Sequence, residues 1–213
     1  MGRGLWTALL LLLVGGAGSV EAERERAAAG EPGLTVLCLG DSLTEGYGVA
    51  PEQAFPAILE RRLRERGRQD VRILNAGISG STTASAVSRL RWQLRANPDV
   101  LLLALGGNDG LRGLGVDQMR KNLSEAIDLA RQHEVRVLLA GMQIPLNYGP
   151  EYRRGFEAVF TDLGKREGVH LIPFLLEGVA AEKALNLPDG IHPNAAGHER
   201  VAEHVLPYLL PLL

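Results

Sequence analysis

A chain of 213 residues with 23 Lys and Arg against 25 Asp and Glu carries a formal charge of -2, and 46% of it is apolar. That balance excludes a disordered tail, which pairs low hydrophobicity with high net charge, and a general phosphate-backbone binder, which needs a strong positive excess. Aromatic residues make up 5%, too few for a platform that stacks single-stranded bases.

In chain order, residues 1–19 come first. Arg3 gives a short positive start, Leu5 to Val14 is an apolar run, and Gly15 to Ser19 are small residues before charge sets in at Glu21. This is the layout of an export signal, with an apolar run too short for a comfortable membrane span. The alternative is an uncleaved N-terminal anchor or arm. Export would deliver the product to the periplasm or the medium. Residues 20–33 read as a charged, solvated arm closing in a Pro32–Gly33 turn. Cys38 is the only cysteine, so no intramolecular disulfide is expected, and its apolar surroundings mark it as a buried hydrophobe.

Residues 34–213 read as one domain. Apolar runs at Leu34–Leu39, Val71–Asn75, Val100–Leu105, Val135–Ala140 and Val169–Ile172 are predicted strands. Their nearly continuous Val, Ile and Leu content is that of strands covered on both faces. Between them lie stripes at helical spacing: Phe55, Ile58, Leu59 and Leu63; Val87, Leu90 and Leu94; Met119, Leu123, Ala126, Ile127 and Ala130; Phe156, Val159, Phe160 and Leu163; and Val201, Ala202, Val205, Leu206 and Leu209. Asp117 and Asn194 are predicted N-caps. Regular alternation of strand and helix predicts a single-domain three-layer α/β/α sandwich on a five-stranded, mostly parallel sheet. Ligands in such sheets bind beyond the carboxyl ends of the strands.

Polar or glycine-rich segments stand at those ends. Gly40-Asp41-Ser42 follows the first run, Asn75-Ala76-Gly77 the second and Gly106-Gly107-Asn108-Asp109 the third, while Asp189-Gly190-Ile191-His192 lies near the C-terminus. A serine hydroxyl needs a base to take its proton as it attacks. His192 can be that base, and Asp189 can hold its ring in the correct tautomer. Acyl transfer also develops an oxyanion that needs preplaced donors. The backbone N–H of Ser42, the backbone N–H of Gly77 and the side-chain amide of Asn108 are the candidates. Each residue taken alone has a plainer reading: an N-cap at Ser42, a packing glycine at Gly77, turn formers at Asn108 and Asp189, a loop residue at His192. Their coincidence at strand ends is what points to an assembled site.

Three loops at the same edge supply apolar side chains. Leu111 and Leu114 lie in 107–116, Ile144, Pro145 and Tyr148 in 142–150, and Phe174 opens 174–179. Together they are the candidate walls of a groove for a medium or long acyl chain. No metal or other cofactor is expected. His192, His198 and His204 have no H-E-x-x-H spacing, and the latter two read as residues on the polar side of the last helix. The G-x-S-x-G elbow is absent too, since Thr44 stands where its second glycine belongs.

The blocks GDSLTEGYG, NAGISGSTT, GGNDGLRG and DGIHPN, carrying Ser42, Gly77, Asn108, and Asp189 with His192, resemble those of the SGNH, or GDSL, hydrolases. With GMQIP, NYGPEY and LIPFLLEGVA, the chain is similar to the bacterial thioesterase I/lysophospholipase L1 branch, the multifunctional arylesterases. The resemblance covers nearly all of residues 34–210. It implies a cofactor-free serine hydrolase acting on acyl thioesters, simple and aryl esters and lysophospholipids, on a flavodoxin-like sheet of order 2-1-3-4-5. The implied partner is a small acyl ester or lipid, with transient contact at a membrane surface and neither nucleic acid nor an obligate protein partner. Two alternatives stand beside it: a short-chain or carbohydrate O-acetyl esterase of the same superfamily, and a non-catalytic acyl-chain binding protein.

Overall fold

A computed structural model describes residues 33–213. The expected export signal at 1–19, and all of the charged arm except Gly33, lie outside the described residues. Strands β1 (Leu34–Gly40), β2 (Val71–Gly77), β3 (Val100–Ala104), β4 (Arg136–Ala140) and β5 (Val169–Ile172) form one sheet in the order β2-β1-β3-β4-β5. Every neighbouring pair is parallel. Each apolar run is thus a strand, with ends displaced by a residue or two. β2 continues to Gly77, which registers with Gly40, whereas Leu105 and Val135 stay buried outside the ladder.

The helices are α1 (Ser42–Glu45), α2 (Phe55–Glu65), α3 (Ala86–Gln93), α4 (Gly107–Leu111), α5 (Val116–Gln132), α6 (Pro150–Gly164) and α7 (Ala195–Leu209). α2 packs on α7, while α3, α5 and α6 pack in series, and the two groups sandwich the sheet. The five apolar stripes face inward as their spacing requires, and Val36 to Leu39 at the centre of β1 have no exposed surface. Burial pushes the Cys38 thiol up to about 12, so it stays protonated and inert.

Two expectations about the helices need correction. Asn194 does cap α7, its Oδ1 accepting from Gly197 N at 3.0 Å, but Asp117 caps nothing. α5 is entered from Gly115 without a side-chain cap, and Asp117 lies in its first turn, where a negative charge still suits the helix dipole. His198 is not on a polar face. It is 1% exposed, because α2 covers that side of α7, and its Nδ1 accepts from Phe55 N at 3.3 Å at the start of α2. Burial pushes its pKa down to about 4, which keeps the ring a neutral acceptor. His204 is half-buried, with Nε2 2.9 Å from Phe174 O.

All five carboxyl ends lie on one edge. The chain leaves β1 for β2 on one side and returns to β3 on the other, so the segments after β1 and β3 diverge above a crevice.

Candidate active site

Ser42 stands at that crevice because of its two predecessors. A Cβ on Gly40 would lie 1.9 Å from Thr44 Oγ1, so only glycine lets the strand turn directly into α1. The N-cap is Asp41, whose Oδ1 accepts from Leu43 N at 3.0 Å. Ser42 is therefore relieved of capping, and its Oγ lies 2.9 Å from His192 Nε2. On the far side of the ring, His192 Nδ1 is 2.8 Å from Asp189 Oδ2. Asp189 Oδ1 accepts from Ile191 N at 2.9 Å and His192 N at 3.0 Å. The His192 and Ile191 N–H groups hold this carboxyl down to about 2, so it is ionised whenever the histidine needs it. The Tyr47 ring lies against the imidazole, centroids 4.6 Å apart.

The expected oxyanion donors divide. Ser42 and Asn108 both line the cavity. Asn108 Nδ2 donates to Ser81 O at 3.0 Å and to Asp41 Oδ2 at 3.3 Å. The longer bond is the weaker one and the one an arriving oxyanion can displace. Burial pushes Asp41 up to about 6, against the Leu43 N–H and the other groups that favour its carboxylate.

Gly77 does not join them. Its N–H donates to Asn75 Oδ1 at 2.9 Å, and Arg89 donates to the Ala76 carbonyl of the same peptide, so that unit is fastened at both ends. Its missing side chain serves packing, since a Cβ there would lie 2.1 Å from Glu45 N. The next glycine fits the role better. Gly80, at φ +75°, sits in a turn closed by Ser81 N to Ile78 O at 3.2 Å. Its N–H has no acceptor among the described residues, and it adjoins the Ser81 carbonyl held by Asn108.

A cavity of about 570 Å³ opens beside Ser42 and His192. Leu111, Ile144, Pro145 and Phe174 line it as expected, together with Met142, Leu176 and Ile191, which sequence reasoning missed. Leu114 and Tyr148 do not. Tyr148 Oη donates to Leu111 O at 2.7 Å and Tyr152 Oη to Leu114 O at 2.7 Å, so the tyrosines hold the backbone of the loop that carries both leucines. Leu114 is left 42% exposed. Asp41, Gly80 and Tyr47 were also missed. Asp41 had a readable signal, an N-capping residue type directly before a helix. No group of three or more His, Cys, Asp or Glu among the described residues is arranged to hold a metal ion.

The arrangement has counterparts among known proteins. Residues 38–200 match the GDSL-like lipase/acylhydrolase family. Esterase TesA of Pseudomonas aeruginosa is 41% identical over 180 residues, 84% of this chain and 89% of the relative. Thioesterase 1/protease 1/lysophospholipase L1 of Escherichia coli K12 is 35% identical over 189 residues, 88% of each chain. The crystal structure of TesA superposes with a TM-score of 0.80 at 40% identity, covering 84% of this chain and 99% of that one. The chain therefore belongs to the GDSL-like lipase/acylhydrolase family, in the branch of TesA and thioesterase 1/lysophospholipase L1.

Proposed function

We propose that this protein hydrolyses carboxylic ester and thioester bonds of medium and long acyl chains through an acyl-enzyme on Ser42. The observation that carries the reading is the continuous Ser42–His192–Asp189 chain of hydrogen bonds, 2.9 and 2.8 Å, opening onto an apolar cavity. In the first half-reaction Ser42 Oγ attacks the carbonyl carbon while His192 Nε2 takes its proton. The oxyanion meets Ser42 N, Gly80 N and the Asn108 amide, and Asp189 stabilises the imidazolium. His192 then returns the proton to the leaving alcohol or thiol. In the second half-reaction water, losing a proton to the same nitrogen, releases the acid. The cavity volume falls within the range of sites that enclose a drug-sized ligand, which favours an acyl chain over a lone acetyl group.

The test combines Ser42→Ala, an organophosphonate label and p-nitrophenyl esters of increasing acyl length. Labelling and hydrolysis should vanish in the variant. Each further buried methylene should raise kcat/KM about fourfold, from roughly 0.8 kcal/mol apiece, until the cavity is full. A peak at acetate would favour the O-acetyl esterase; an active Ser42→Ala would end the serine reading.

Transient contact with a lipid surface belongs to the same proposal. Among the described residues eight large hydrophobics are exposed; six of them (Tyr47, Ile78, Leu111, Leu114, Leu146 and Ile191) lie in connections after strands, and two of these, Leu111 and Ile191, line the cavity. A lysophospholipid series run through its aggregation point checks this: turnover should rise as aggregates form, and a plateau there would refute it. Export to the periplasm or medium rests on the layout of residues 1–19, and N-terminal sequencing of the exported product would reveal an uncleaved start if that is wrong.

A further inference from the structure

Glu45 and Arg112 are exposed charged residues, yet neither makes an ion pair among the described residues. Both direct their hydrogen bonds at the same short turn, residues 78–81. Glu45 Oε2 accepts from Ser79 N at 2.7 Å and also from the Ser79 hydroxyl. Arg112 Nη2 donates to Gly80 O at 2.9 Å. Of the other N–H groups in the turn, Ile78 N donates to Gly40 O and Ser81 N to Ile78 O, each at 3.2 Å. Gly80 N–H is the one left over.

That N–H belongs to the Ser79–Gly80 peptide, the central unit of the turn. Interconversion of type I and type II turns rotates this unit, and glycine at its second position removes the steric bias that would hold one form. A donor mounted there is sound only if something else fixes it. Glu45 grips the turn just before this peptide and Arg112 just after it, each through a charge-assisted hydrogen bond. Their places in the chain give the grip its purpose. Glu45 ends α1, three residues after Ser42, while Arg112 directly follows α4, which carries Asn108. The nucleophile and the side-chain donor are thereby each strapped to the backbone donor.

Resting on the serine-hydrolase reading above, we propose that Glu45 and Arg112 are positioning residues that keep Gly80 N–H aimed at the oxyanion. The contribution belongs to the tetrahedral state, because the ground-state ester carries little charge on that oxygen. Glu45→Ala and Arg112→Ala should each lower kcat roughly tenfold, a fraction of the loss from deleting a donor outright, while KM stays within about twofold. Affinity for an alkyl boronic acid, which becomes tetrahedral on Ser42, should fall in parallel with kcat. Glu45→Gln, whose amide oxygen still accepts from Ser79, should recover most of the rate.

The experiment measures these variants on a short soluble ester, with Ser42→Ala and thermal melts alongside. Unchanged kcat and boronate affinity in Glu45→Ala and Arg112→Ala would overturn the inference, as would a Glu45→Gln variant no better than Glu45→Ala. If Glu45→Ala does not fold, Glu45→Asp decides: one methylene shorter, it should show the same loss in kcat, and wild-type kcat there would overturn the proposal. An active Ser42→Ala would instead remove the reading beneath it. An inactive Ser42→Ala beside fully active Glu45 and Arg112 variants would remove this inference alone.

Discussion

His198 and Asp41 are both buried, both titratable and both shifted, in opposite directions, and neither charge change is needed for the proposed reaction. The folded protein holds His198 at about 4 against an ordinary 6.5, so between those values the unfolded chain binds a proton that the folded chain refuses. Stability therefore falls as pH drops through that window and levels off below it, by up to roughly 3 kcal/mol. Asp41, pushed up to about 6, acts with the opposite sign over an overlapping range. His198→Asn retains an acceptor for Phe55 N while leaving Asp41 unchanged, so it separates the two. Denaturant unfolding at pH 7 and pH 4.5 should show a smaller acid loss in the variant than in the wild type. Equal losses would mean that His198 does not govern the response. The sequence had placed this histidine on a wet face, because the spacing of α7 shows one apolar stripe but not the second contact made by α2. A buried polar residue whose partner is a distant backbone N–H leaves no periodic trace.

At the scale of elements, the short helix α4 joins the oxyanion side of the site to the acyl side. It carries Asn108 and Leu111, and Gly110 between them packs where a Cβ would meet Ile144 Cγ2 at 2.5 Å and Phe156 Cε2 at 2.7 Å. Glycine here is a matter of space. Gly110→Ala should cost about 1–3 kcal/mol through overpacking and lower Tm by roughly 2–10 °C. Because Ile144 and Leu111 line the cavity, hydrolysis of long acyl esters should suffer more than that of acetate. A uniform loss across acyl lengths would separate the packing strain from the pocket. Gly77 and Gly80 illustrate what spacing leaves ambiguous. Both follow β2 and both suit a backbone donor, but only the register of β2 against α1 shows that the first is taken up by Glu45 and Asn75. Leu114 and Tyr148 were misassigned for a similar reason, since an apolar loop residue can form a wall or hold the loop that forms one.

Across the whole molecule, the strands, their parallel order and the meeting of Ser42, Asn108, Asp189 and His192 at one edge were legible. Short continuous apolar runs and chemistry at strand ends are local signals, and the topology of an α/β sheet converts them into one edge. The interactions that hold the site in shape were not legible, because they run between segments far apart in sequence. The loop bearing the base is the exception. Its bonds are largely its own: Leu187 N donates to His192 O at 2.7 Å, Asp189 takes the N–H groups of Ile191 and His192, and Asn186 bridges to Pro193. Pro188, Asp189, Gly190 and Ile191 are all exposed, whereas β1 and β3 are sealed in the core. A segment built this way can open without disturbing the sheet. On slow heating, ester hydrolysis should cease at a lower temperature than the loss of the near-ultraviolet dichroism of the core, and it should return on cooling from that interval. Coincident loss would show the loop to be as firm as the sheet. Where the two separate, heat disarms the enzyme before it unfolds it, and a preparation that looks native can be reversibly silent.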